Sequence, residues 1–303
     1  MFGDRSIQLS RVFGIRIGAS PSWFLVLFLF LYTLSRYFND VLVASSNTVS
    51  YAVAVAATIL LIVAGGLVTG NKAGLAVADW PTSYGYNMFL YPFSRMTGGI
   101  YYEHAHRLLG ALVGLTTVSL AIHLALVESR GFVKGMAAAA VVLVIGQGIL
   151  GGLRVTERHL YLAVVHGVTA QLFLSLLVAI AVVRTRTWRG DRARRQSEYA
   201  RGEWRLGTIA VAALIVQIGL GAIQRHLAFG LMLHIAGAFV VAALTIAAGV
   251  RAFALHPEEP ILKSSGLIVA YVTAAQLALG FSSWIAKAAW TAGGVSPEWA
   301  VVV

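Results

Sequence analysis

The sequence predicts an all-α integral membrane protein of two pseudo-repeated helical bundles, four helices and then three, preceded by an extra N-terminal apolar segment. Three observations carry this. Of 303 residues, 58% are hydrophobic and 12% charged, with a mean hydropathy of +0.79, outside the range of soluble domains. The apolar residues form continuous runs near the ~20 residues a helix needs to cross the hydrocarbon, instead of the short alternating segments of a β-barrel. A Gln/Gly pattern followed by a histidine also recurs along the chain, the mark of an internal repeat.

The runs fall at 22–38, 52–70, 98–125, 133–153, 158–184, 205–224, 229–252 and 262–286, each bounded by Gly, Pro or charge. Four regions follow: an extra N-terminal apolar segment (1–51), a first four-helix half (52–184), a basic linker (185–204) and a second half (205–303). The stretch from Arg184 to Arg205 contains eight arginines, so the positive-inside bias places this linker in the cytoplasm and the protein in the cell membrane as a multi-pass protein. Counting from that anchor, loop 71–97 and the His106 end of its helix lie outside. The same parity puts Arg5, Arg11 and Arg16 outside if 22–38 crosses, against the charge rule. That run is either re-entrant or surface-bound, or its topology is frustrated.

The net charge of +11 sits in short connections between apolar runs. It is an orientation signal, and no nucleic-acid partner is expected; the surrounding partner is membrane lipid. With no cysteine, disulfides, thiolate metal sites and cysteine nucleophiles are excluded. Neither HExxH, a phosphate-binding glycine loop nor a supported Ser-His-Asp arrangement occurs.

The repeat runs as Gln147-Gly148-Ile149-Leu150-Gly151-Gly152-Leu153 before His166, Gln217-Ile218-Gly219-Leu220-Gly221-Ala222-Ile223 before His234, and Ala64-Gly65-Gly66-Leu67-Val68 before Glu103 and His106. A fourth copy begins at Gln276-Leu277-Ala278-Leu279-Gly280, and the sequence ends at Val303 before a histidine follows, so the second bundle is read as lacking its last helix. The small residues suit close helix packing in lipid.

Inward imidazoles from separate helices would hold a flat metal macrocycle as axial ligands of haem iron do; the other reading of each is a histidine hydrogen-bonded between helices. His106 and His166 would pair in the first half, with His234 in the second. Glu103 lies three residues before His106, on nearly the same helical face, where a carboxylate would orient the imidazole or handle protons. Its alternative is an interfacial carboxylate paired with Arg107. His104 points away from His106, toward loop or solvent, and His123, His159 and His256 are read as structural or exposed. Trp80, Tyr84 and Tyr86, in the loop from Gly70 to Tyr86, are read as an interfacial aromatic belt. Lys72, Arg95, Arg154 and Arg225 are on the correct side to meet propionates.

Gly65-Gly66-Leu67-Val68, Asn71-Lys72-Ala73-Gly74-Leu75-Ala76-Val77-Ala78-Asp79-Trp80-Pro81, Glu103-His104-Ala105-His106-Arg107 and Gln147-Gly148-Ile149-Leu150-Gly151-Gly152-Leu153 resemble the haem A synthase family, with a looser match through Gly221-Ala222-Ile223-Gln224-Arg225-His226 and Leu233-His234-Ile235-Ala236-Gly237. The resemblance covers residues 55–303. It implies two four-helix halves that oxidise a methyl group of haem O, the substrate, to the formyl group of haem A for terminal oxidases. By motif, Glu103 and His106 match the essential Glu and His, His166 the partner in the first half, and His234 one ligand of a second, b-type haem; Arg107 and Arg225 are assigned to cofactor binding. The expected partners are haem O, a haem O synthase and an electron donor. Residues Arg11-Val12-Phe13-Gly14-Ile15-Arg16-Ile17 and Pro21-Ser22-Trp23-Phe24 resemble the start of site-2 intramembrane metalloproteases, without their HExxH.

The family's fourth histidine has no counterpart in this sequence. The competing expectation is therefore a non-catalytic membrane b-type haem protein that carries electrons or haem, with a degenerate assembly factor as a third.

Overall fold

A computed structural model describes residues 7–12, 15–19, 47–185, 188, 198–256 and 258–293. The apolar run 22–38, most of the basic linker and the segment from Trp299 to Val303 lie outside the described residues.

The helical architecture is as expected. Among the described residues seven α-helices follow one another: α1 (Asn47–Gly70), α2 (Gly99–Val127), α3 (Gly131–Glu157), α4 (Leu160–Arg184), α5 (Ala200–Leu227), α6 (Leu231–Leu255) and α7 (Pro260–Gly293). Six, α2 to α7, are long and apolar enough to cross a membrane, and α1 contributes the shorter apolar stretch Ala54–Gly70. The protein is a multi-pass membrane protein. To these helices the structure adds an antiparallel hairpin of β1 (Ile7–Val12) and β2 (Ile15–Ala19), which the apolar reading of residues 1–51 did not anticipate. The alternation of Ile, Leu and Val with Gln, Ser and Arg there has the period of a strand.

Short turns separate α2 from α3, α3 from α4 and α5 from α6, and residues in two of them explain the stops. Arg158 and Ala228 take the left-handed conformation at the C-terminal ends of α3 and α5, and Gly230 has φ +82° just before α6. A residue in that region ends the i to i−4 ladder, and glycine enters it without a Cβ clash.

The chain divides into two compact units. The first comprises residues up to His159 together with Thr169–Arg189, and the second Leu160–Val168 together with Gly190 onward. The core of the first unit is Ala54 of α1, Val113, Leu120 and Leu124 of α2, Val133, Ala137 and Ala140 of α3, and Phe173, Leu177, Ile180 and Val183 of α4. At the end of this unit away from His106, buried Glu128 follows the last turn of α2 and accepts from Arg130 at 2.9 Å and from Arg184 at 2.5 Å. Arg130 also donates to the Val183 carbonyl at 3.0 Å. This clasp ties the α2–α3 turn to the end of α4.

In the second unit α6 and α7 meet glycine to glycine. A Cβ at either Gly249 or Gly266 would run into the backbone of the other, and Thr273 donates to Thr245 at 3.1 Å. Without a hydrophobic effect between helices in lipid, small residues and interhelical hydroxyls supply the packing.

Candidate functional site

The site is built where loop 71–98 folds over the start of α2. Asn71 caps α1, its side chain donating to the Leu67 carbonyl at 2.8 Å, and Lys72 at φ +53° turns the chain out of the helix. Asp79 organises the next turn: its carboxylate accepts from the Thr82 hydroxyl at 2.5 Å and from the Tyr84 and Gly85 N–H groups at 2.6 and 2.9 Å. Burial opposes its ionisation, but these donors outweigh that cost and hold its carboxyl below the ordinary range.

Glu103, 4% exposed, pairs with Arg107 at 2.9 Å and accepts the Val77 N–H at 2.9 Å on its other oxygen. Arg107 also donates to the carbonyls of Val77, Asp79 and Thr82 at 2.8, 2.7 and 3.0 Å. The carboxylate–guanidinium pair expected as one of two readings is therefore present, and together the two side chains hold three loop carbonyls and one loop N–H. His104, 1% exposed, meets the Ser83 hydroxyl at 3.1 Å and packs against Tyr91 with ring centroids 5.0 Å apart. It touches the loop, as its helical position predicts. Arg154 of α3 donates to the Gly74 carbonyl.

Trp80 departs from the belt reading. A Cβ at Gly152 of α3 would collide with its indole, so the ring is packed on that helix. Tyr84 donates to the Ala76 carbonyl, and the Tyr86 hydroxyl accepts from Arg95 at 3.1 Å. The aromatics of this loop hold its shape.

Below the loop, His106 rests on Gly65 of α1. A Cβ there would lie 3.1 Å from Cε1, 3.6 Å from Nδ1 and 3.7 Å from Nε2. In the second unit His234 of α6 rests on Gly221 of α5, with corresponding distances of 3.0, 3.6 and 3.7 Å. Two imidazoles, in separate units, sit on glycines in the same pose. The sequence repeat carries the signal, since Gly65 and Gly221 occupy its same position, but read as sequence they marked helix packing and not a histidine seat.

The seats differ four residues earlier. Gln217 donates from Nε2 to the His234 carbonyl at 2.8 Å and lies 3.0 Å from its Nδ1, while its Oε1 is buried without a hydrogen-bond partner. In the first unit Leu61 takes that place in the helical register; its backbone meets the His106 ring as that of Gln217 meets His234, but it offers no polar side chain.

His166 stands half-buried in the second turn of α4, within Leu160–Val168. Gln147 donates to Thr169. Arg225 is exposed in the last turn of α5. Among the described residues no three His, Asp or Glu side chains cluster as a metal-ion site. Single imidazoles on glycine seats, with buried polar atoms left over beside them, fit the donor set of an axially ligated macrocycle.

These features define a polytopic helical membrane protein with glycine-seated histidines near the ends of paired helices. Residues 87–234 match the COX15-CtaA family model of cytochrome oxidase assembly proteins, which agrees with the motif resemblance over that stretch; the Asn71–Pro81 motif lies outside the matched residues. No curated protein and no solved structure matches the chain.

Proposed function

We propose that this protein is a haem-modifying oxidoreductase of the haem A synthase kind, converting a methyl group of haem O to the formyl group of haem A during cytochrome oxidase assembly. The observation that carries the proposal is the glycine-seated imidazole recurring in both units, in a chain whose central half matches cytochrome oxidase assembly proteins. His106 would ligate the substrate haem, and His234 a resident b-type haem in the second half. A haem in the second half would supply one-electron chemistry when bound. Gln217 would orient His234, and Arg225 would meet a propionate. Haem O synthase would deliver substrate and an electron donor would serve the resident haem; because methyl-to-formyl conversion removes four electrons and adds one oxygen atom, an external oxidant such as dioxygen would be consumed, with dioxygen or water as the oxygen source. The linker 185–204 would face the cytoplasm across the plasma membrane.

Glu103 and Arg107 serve the substrate mouth indirectly in this reading. By fixing the loop over the start of α2 they exclude water above His106 and hold the carboxylate one helical turn from that imidazole.

A specific observation favours the second reading, a non-catalytic b-type haem protein. Both Glu103 oxygens are already occupied, by Val77 and Arg107, which leaves less capacity for proton transfer. Co-expression with a haem O synthase, followed by chromatography of the extracted haems, separates the two. The enzyme yields haem A or its hydroxylated precursor. Haem b alone, with haem O unconverted, favours the carrier.

A further inference from the structure

Between the Asp79 turn and α2 the chain makes two single 3₁₀ turns, Met88–Leu90 and Phe93–Arg95. Between them Tyr91, 6% exposed, packs on His104 at 5.0 Å and contacts Tyr84 and Tyr86 at 6.1 and 5.8 Å. On either side of this fastening a large apolar side chain points outward: Leu90 is 62% exposed and Phe93 82%. Arg95 lies beside them, its guanidinium 5.5 Å over the Tyr86 ring and donating to the Tyr86 hydroxyl at 3.1 Å.

The height of this segment follows from its fastening. Helix α2 has 29 residues, hence a length of about 43 Å at 1.5 Å per residue. It outruns a hydrocarbon layer of about 30 Å by roughly 7 Å at each end. His104 lies five residues inside the helix, about 7.5 Å from its start, so the ring that holds Tyr91 is near the edge of the hydrocarbon. Leu90 and Phe93 stand beside that level and cannot rise from it while Tyr91 is buried.

We propose that Met88–Arg95 is an interfacial foot, with Leu90 and Phe93 inserted among the acyl chains at the headgroup boundary of the protein's own membrane and Arg95 at the level of the lipid phosphates. Apolar side chains beside a cation at this depth are the composition of a segment lying in the interface, and a guanidinium on a long apolar stem reaches the phosphates while its stem stays in the boundary. The foot holds the Glu103–Arg107 loop at a set depth over the start of α2.

The chain has no native cysteine, so a single label reports the segment directly. Phe93→Cys, and separately Ser94→Cys, which keeps both apolar side chains, are labelled with an environment-sensitive fluorophore in the full chain in phosphatidylcholine–phosphatidylglycerol proteoliposomes. Glu198→Cys serves as the reference. The foot predicts blue-shifted emission at 93 and 94, and more loss of that emission with lipids spin-labelled near the headgroup than with lipids labelled deep in the tail. Substituting Leu90 and Phe93 together by Ser returns the Ser94→Cys signal to that of Glu198→Cys. Emission typical of water and quenched by iodide overturns the proposal. Blue-shifted emission insensitive to spin-labelled lipid also overturns it, since the segment is then covered by protein.

Discussion

Gly65 and Gly221 are the residues on which the two imidazoles depend. A methyl group at either lies 3.1 or 3.0 Å from a ring carbon, tighter than ordinary contact, so the ring or the helix must move. Overpacking of this kind costs about 1–3 kcal/mol. Gly65→Ala and Gly221→Ala are expected to lower haem affinity in their own half and leave the other unchanged, read by haem titration of variants in which the opposite histidine is Ala.

At the scale of an element, the loop over α2 rests on a buried ion pair. Removing one partner of such a pair costs about 3–5 kcal/mol, because the other charge is left buried and unpaired. Arg107→Ala should therefore free loop 71–98 to protease far more than Glu103→Gln, which keeps the shape and most of the hydrogen bonds. The ratio of cleavage rates in limited proteolysis measures this.

The Glu128 clasp makes a prediction about pH. Hydrogen bonding to Arg130 comes first, burial opposes it, and Arg184 adds to it, so the carboxyl is held far below the ordinary carboxylate range. A depressed folded value stabilises the protein above the unfolded value, about 4.3 for Glu, and that stabilisation is lost as pH falls toward the folded value. The stability difference between wild type and Glu128→Gln should be constant above about pH 5 and shrink below about pH 4, where protonation erases the distinction. Thermal unfolding in detergent across this range tests the sign.

For the whole molecule, orientation is the property that positions the site relative to the cell. The basic linker predicts a cytoplasmic face there and an outer face for loop 71–98. In this cysteine-free chain, an impermeant maleimide should label Ala78→Cys, exposed in loop 71–98, in intact cells and Glu198→Cys only after permeabilisation. The reverse pattern would invert the molecule.

Much of the fold was legible because a membrane span is a local property. The run read at 98–125 became Gly99–Val127, and 158–184 became Leu160–Arg184, since about 20 apolar residues in sequence are apolar whatever surrounds them. The hairpin at Ile7–Val12 was missed because its alternation lies beside a strong apolar run that dominated the reading of residues 1–51. In the site, the Glu103–Arg107 pair was foreseeable from its i, i+4 spacing. Its attachment to Val77, Asp79 and Thr82 was not, because backbone carbonyls have no residue type to signal them.

By itself the sequence determined the class of molecule, the order of its helices, the absence of thiol chemistry and the Gln/Gly repeat that precedes a histidine. These are properties of composition and spacing. Tertiary structure alone decided that Gly65 and Gly221 lie under His106 and His234, that Trp80 packs on Gly152, and that a polar side chain, Gln217, reaches one imidazole while only the Leu61 backbone meets the other. The reason is physical: a helix fixes which residues share its own face, whereas the group facing them from another helix or a loop is chosen by packing and by the demand that buried polar atoms find partners.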